Sequence, residues 1–200
     1  MLWRLWTDGQ PVTVVDGIRP RLASWNKKSD PAQIALQAYL DDLTAKLGPL
    51  PSDGAPLALL LDVDVGDERR LLHQSDVENF LMPMFGATRL PPSRFVFVHG
   101  RKRVGGGSRL VISRATPTVK GEPASYFVNA GPNSQSVTWK ERIRAVIAAT
   151  AKPLAAGAVR GRLAFRCSTR RNWTALWKPA GDALGPLLGL EGENPYGPCD

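Results

Sequence analysis

Residues 57–65 read LALLLDVDV, a strand by its leucine and branched content, set off from the preceding chain by a Pro/Gly/Ser/Asp loop at 49–56. Side chains alternate along a strand, so Asp62 and Asp64 share one face while Val63 and Val65 take the other. Two carboxylates on one face form a candidate ligand set for a hard cation, although acids at the end of a strand are more often simply solvated.

The elements around this strand follow from local signals. PVTVV at 11–15 reads as a strand, with a turn at Asp16-Gly17 and then an extended basic stretch, IRPRLASW, in which Pro20 discourages helix. Asp30-Pro31 is a good helix start. The apolar residues Ile34, Ala38, Leu43 and Leu47 recur roughly at helical spacing before Gly48-Pro49 ends the element. HQSDVENFLMPMFGA at 73–87 predicts a helix capped by Ser75 or Asp76 that Pro83 kinks or starts. RFVFVHGRKRVGGGSRLVISRA at 94–115 reads as two strands around a glycine-rich turn. Those glycines do not lie between a strand and a helix, as a phosphate-binding loop requires, so a hairpin with a basic tip at Arg101, Lys102 and Arg103 is expected.

After a linker at 116–124 the order of elements begins again. A strand SYFVNAG is followed by a helix SVTWKERIRAVIAATAKPL, a strand GAVRGRLAFRCS, and a final helix in RRNWTALWKPAGDALGPLLG, residues 170–189. In the second of these strands Arg160, Arg162 and Arg166 share one face, with Leu163, Phe165 and Cys167 on the other. One side is expected to bury and the other to present cations. Trp173 and Trp177 stand four residues apart in the last helix and read as core residues beside a solvated Lys178. The expected fold class is α+β, two related small units each with a mixed sheet packed against helices, spanning 1–118 and 119–200.

Composition narrows the function. Residues 1–100 carry 10 Lys/Arg and 12 Asp/Glu, whereas 101–200 carry 16 and 6, for a net charge of +8. A basic half following an acidic one suggests a polyanionic partner for the second. The cysteines, Cys167 and Cys199, lack metal-ligand spacing, and the two histidines, His73 and His99, sit beside no obvious nucleophile. The first residues, MLWRLWTDGQPVTVV, hold too short an apolar run for a signal peptide or a membrane span, so a cytoplasmic protein with no membrane partner is expected.

Aligning Pro83 with Pro179 sets Asp76 against Asn172, Glu78 against Thr174, Asn79 against Ala175, and Met82 against Lys178. Here the chain resembles the RusA-type Holliday junction resolvases. Their signature has arginines followed by D-x-D-N-L-x-K and a further D-A-L four residues after the lysine. RRNWTALWKPAGDAL keeps that spacing with Arg170, Arg171, Leu176, Lys178 and Asp182-Ala183-Leu184, but has Asn172 and Thr174 at the acid positions. SDVENFLMP is similar from the other side, with Asp76, Glu78 and Asn79 present and Met82 at the lysine position. GIRPRLASW is also similar to the arginine-proline stretch that precedes the first helix in many such proteins.

The resemblance implies Mg²⁺ held by aspartates to activate water for phosphodiester hydrolysis, with branched DNA as the substrate. The second copy, with neutral groups at its acid positions, is expected to be inactive. Residual cleavage in the first copy would use Asp76, Glu78 and Asn79, with Asp76, Glu78, Asp62 and Asp64 as candidate metal ligands. Arg160, Arg162, Arg166, Arg170, Arg171, Lys178, Arg101, Lys102 and Arg103 are the expected phosphate contacts. Two function classes follow. One is a DNA-binding protein with reduced or absent metal-dependent cleavage, and the other a non-catalytic accessory or scaffold protein whose basic face binds an acidic protein.

Overall fold

The computed structural model describes residues 5–24, 26–73, 76–85, 90–118, 128–131, 137–155 and 172–188, with Leu163, Phe165 and Cys167. The fold class is α+β: one mixed four-stranded sheet and several helices. The chain divides into two compact units, Met1–Lys120 together with Cys167–Thr174, and Gly121–Arg166 together with Ala175–Asp200. No helix among the described residues is long and apolar enough to cross a membrane.

The first unit holds the sheet. Strands β1 (Leu5–Ile18), β2 (Leu57–Asp64), β3 (Phe95–Arg103) and β4 (Ser108–Thr118) lie in the order β1-β4-β2-β3. β4 runs antiparallel to both β1 and β2, and β3 runs parallel to β2. β2 is therefore central, and its sequence fits that place. Leu57, Ala58 and Leu59 are all fully buried, as a continuous apolar run in an interior strand must be. From Leu60 onward burial alternates, leaving Leu61 and Val63 covered and Leu60, Asp62 and Asp64 half-buried.

The expected β3–β4 hairpin does not form. β2 lies between the two strands, and Val104–Gly107 crosses over its carboxyl end. Neighbouring strands lie about 4.8 Å apart, so this short segment has to span about 10 Å. Gly105, Gly106 and Gly107 do so with φ of 77°, 81° and 72°, a left-handed run that residues with a Cβ resist. β1 likewise continues past the expected turn to Ile18, because Gly17, at φ 66°, absorbs a register shift between Asp16 and Ile18.

Helix α1 (Pro31–Leu47) begins where Asp30 accepts a 2.8 Å hydrogen bond from the Ala32 N–H, with proline in the first turn. It ends at Gly48, whose φ is 63°. Its buried face is Leu36, Tyr39, Leu40, Leu43 and Leu47. Leu43 and Leu47 were expected there, but Ile34 is 56% exposed and Ala38 is also outside, since the helix turns its 36/40/43/47 line inward. After β2 come α2 (Arg69–His73) and, in place of one kinked helix, the single turn α3 (Glu78–Leu81) continuing as a 3-10 turn, Met82–Phe85, that contains Pro83. Leu81, Met84 and Phe85 are buried, and Phe85 meets Phe95 edge to face at 5.4 Å between ring centres.

In the second unit α4 (Val137–Thr150) buries Trp139, Ile143 and Ile147, one per turn. A 3-10 turn at Trp173–Leu176 leads into α5 (Trp177–Asp182), with Leu176, Ala180 and Ala183 buried. The two strands expected here are not found among the described residues. Asn129, Ala130 and Gly131 are irregular, as are Leu163, Phe165 and Cys167, and the rest of both segments lies outside the described residues. Leu163 and Cys167, expected to face a core, are exposed.

Gly100 on β3 fixes how closely α3 can approach, because a Cβ there would lie 2.8 Å from Val77 Cγ2 and 2.9 Å from Leu81 Cδ1. Gly100→Val should therefore destabilise the protein by about 1–3 kcal/mol through overpacking. Leu59→Ala, which empties a fully buried site on β2, should lose about 2–5 kcal/mol. Urea unfolding measured side by side checks both.

Candidate functional site

The carboxyl ends of β1 and β2 open onto a cleft of about 1030 Å³. In open sheets the crevice beyond the carboxyl ends of parallel strands is a common place for ligands, and β1 and β2 run parallel on either side of β4. One wall is the irregular stretch from Ile18 to Ser24, which Pro20 keeps out of helix. The Ala23 N–H donates to the Asn79 carbonyl at 2.8 Å and so ties that wall to α3. Phe80 of α3, Arg70 of α2, and Val63, Asp64, Gly66, Gly107 and Ser108 line the other side.

Arg19 and Arg21 are exposed at this cleft and make no ion pair among the described residues. Arg70 is paired with Asp67 at 3.2 Å. The sequence marks this stretch as arginine-proline rich, but Arg19 and Arg21 are not among the phosphate contacts expected from it. The signal was present in the run I-R-P-R-L-A-S, which alternates cations with apolar residues in a segment that cannot be helical.

Asp64 sits in the same cleft and is fully engaged. Its Oδ1 accepts the N–H groups of Gly66 (2.9 Å) and Gly105 (3.0 Å), and its Oδ2 that of Gly107 (2.9 Å). These bonds, Gly66 first, hold the carboxyl below the usual aspartate range. Its own N–H donates to Ser108 Oγ at 2.9 Å. Backbone N–H groups converging on one carboxylate make a small anion-binding concavity, here filled by the protein's own side chain.

Asp62 faces the open side of the sheet, next to Arg101 on β3 and Arg109 on β4, with Asp16 on β1 beyond. Cation and carboxylate thus alternate across all four strands. Arg101 grips Asp62 through two bonds, Nε to Oδ1 at 2.5 Å and Nη2 to Oδ2 at 2.9 Å, and Arg109 meets Asp16 at 3.1 Å. The Arg101 hydrogen bond is the main reason that Asp62 is held below the ordinary carboxylate range.

The other expected site residues fall as follows. Asp76 is exposed just before α3, where its carbonyl accepts the Asn79 N–H at 3.0 Å; Glu78 and Asn79 are half-buried. Among the described residues no three acids, histidines or cysteines come together as a group able to hold a metal. Asp62 is taken by a guanidinium and Asp64 by backbone N–H groups, so these two carboxylates as placed do not offer the convergent oxygen ligands that a magnesium ion needs. Lys102 donates to the Arg70 carbonyl at 3.2 Å, tying β3 to α2, and Arg103 donates to the Gly107 carbonyl at 2.7 Å, bracing the crossover. Lys178 is exposed and lies 3.8 Å from Asp182, which also pairs with Lys140 at 3.2 Å. Arg160, Arg162, Arg166, Arg170 and Arg171 lie outside the described residues.

The signature-like stretch at 172–174 has a local structural role. Asn172 Oδ1 accepts both the Thr174 N–H (3.1 Å) and the Thr174 hydroxyl (2.6 Å), capping the turn that follows. The Trp173 indole N–H is shared between the carbonyls of Pro92 (3.1 Å) and Phe95 (3.0 Å) at the start of β3. No family model matches the chain, and neither a curated protein nor a solved structure matches it significantly. The likeness to junction resolvases rests on its motif residues alone.

Folding lowers the affinity of Asp62 and Asp64 for protons, so the stability they contribute is present above the unfolded aspartate value of about 3.9 and is lost as pH falls through their lower folded values. Urea midpoints should drop as the pH is taken below about 4, and Asp62→Asn should flatten that dependence while lowering the midpoint at neutral pH. Asp64→Ala should speed amide exchange at Gly105 and Gly107 by about tenfold or more, with little change in the interior of α1.

Proposed function

We propose that this protein binds nucleic acid through its phosphate backbone, in the cleft at the carboxyl ends of β1 and β2, and does not cut it. The observation that carries this reading is the placement of Arg19 and Arg21, exposed on a concave surface with no acidic partner among the described residues. Cations on this face that lack a carboxylate are suited to a polyanion, and the net charge of +8 favours the encounter at long range. The RusA-like spacing in 170–184 and 76–79 supports DNA as the polyanion, with branched DNA the first form to try.

Cleavage is left out because two of the four candidate acids are committed to other partners and no metal-holding group forms among the described residues. Asp62 serves Arg101 and Asp64 serves the glycine crossover, so neither is available to hold a metal or activate water, and the role left to the cleft is to bind and orient a phosphate chain. An acidic protein partner remains the second reading, since the same arginines would meet carboxylates. The two differ in geometry, because a guanidinium holds a phosphate or a carboxylate equally well but only a nucleic acid presents phosphates at a fixed repeat.

Two phosphate contacts, by Arg19 and Arg21, imply that affinity falls about 7- to 12-fold between about 50 and 200 mM salt. Fluorescence anisotropy with labelled oligonucleotides measures this directly. Replacing Arg19 and Arg21 by glutamine should weaken binding and reduce the logarithmic salt slope by about 1.5–2. A four-way junction incubated with Mg²⁺ or Mn²⁺ should be bound and remain intact. Binding of polyglutamate as tightly as DNA would transfer the cleft to the acidic-protein reading.

A further inference from the structure

We infer that the cleft is built for single-stranded nucleic acid, with a base stacked on Phe80; this rests on the phosphate-binding reading above. The cleft combines two kinds of surface. Arg19, Arg21 and Arg70 are cationic, whereas Phe80 and Leu22 on the same lining are apolar, with Leu22 41% exposed. Phe80 is half-buried at the lining, and an aromatic ring in a cleft beside arginines gains from a planar apolar partner that carries a charge nearby. A nucleotide supplies both, a base face and a phosphate.

A double helix cannot use this lining. Its bases are stacked on one another, so their faces are closed and only their edges reach the grooves, while phosphates and sugars form the outside. A convex duplex laid on the cleft would touch its arginine rim and leave Phe80 uncovered. An unpaired strand can turn a base inward onto the ring while its backbone follows the arginines, the arrangement by which single-strand binders combine stacking with a basic groove. The volume agrees: about 1030 Å³ lies at the upper end of sites that enclose a small organic ligand, which suits a few nucleotides.

Asp64 bears on the same inference. Its charge sits within the cleft lining, but three N–H dipoles point at it, so the repulsion it offers a passing phosphate is reduced. The crossover that it organises also forms part of the lining, at Gly107 and Ser108. A strand entering the cleft therefore meets both the end of the glycine crossover and the arginine-bearing stretch.

The test uses the full chain, a fluorescein-labelled oligothymidylate of about 12 nucleotides and a hairpin duplex of matched length, by anisotropy at low salt. The expected result is binding of the oligothymidylate about tenfold or more tighter than the duplex. Phe80→Leu should weaken oligothymidylate binding by about tenfold with its salt slope unchanged, and Phe80→Tyr, which keeps the ring, should restore it. Thermal melting of each variant separates loss of stacking from loss of fold. If duplex binds as tightly as the single strand, or if folded Phe80→Leu binds it as well as the parent, the single-strand inference is overturned while the phosphate-binding function stands. If neither oligonucleotide binds, the single-strand inference is overturned, and if a four-way junction also fails to bind, the phosphate-binding function is overturned with it.

Discussion

A strand lodged between two others that are consecutive in sequence has to be bridged by a segment passing over its end, and in this protein the bridge is held by one carboxylate. Asp64 receives N–H groups from both sides of the crossing, Gly66 from its own strand's exit and Gly105 and Gly107 from the crossing itself. Without such an acceptor the N–H groups of a left-handed glycine run would depend on water alone. Arg103 reinforces the bridge from the carbonyl side, at Gly107. The position of β2, and with it the alternating row from Arg101 to Asp16, depends on that bridge being closed.

The same arrangement divides the charged residues of the first unit into two populations. Arg94 is spent on the carbonyls of Pro51 and Ala55, Arg114 on Asp53, Arg101 on Asp62 and Arg109 on Asp16. Arg19 and Arg21 stand apart because the stretch that bears them is neither helix nor strand and no acid from the sheet reaches it among the described residues. The cations of the sheet are largely engaged in structure, whereas Arg19 and Arg21, on the wall of the cleft, meet no acid among the described residues. A count of basic residues cannot make that distinction, since it depends on where the acids fold.

Features set by adjacent residues were legible in the sequence. Asp30-Pro31 and Gly48 bound α1 as their capping chemistry requires, and LALLLDVDV shows in its own pattern the change from two-sided to one-sided burial. What could not be read was any feature fixed by residues distant along the chain. RKRVGGGSR resembles a hairpin tip because nothing local says that β2 will come between its flanks, and the determinant is the hydrogen bonding of Asp64, some forty residues earlier. Ile34 and Ala38 fit a helical apolar line, but tertiary packing chose the line through Leu36, Leu40, Leu43 and Leu47. The candidate site divides in the same way: Asp62 and Asp64 were legible as acids on one face of a strand, but their partners, Arg101 and the glycine N–H groups, are decided by strand order.

The placement of β2 also imposes a condition on how the chain reaches this state. β3 and β4 are joined by so few residues that they can meet early and directly, on the microsecond scale of local hairpins, before a strand from forty residues upstream arrives. Such a pairing uses the backbone groups that β2 needs on β4 and must be undone to admit it. The three glycines serve the chain here as well, since a linker with little intrinsic preference for a tight hairpin geometry leaves the two strands loosely coupled until the third is seated. Replacing them with a strong two-residue turn such as Asn-Gly would favour the direct pairing and so trap the chain short of its sheet.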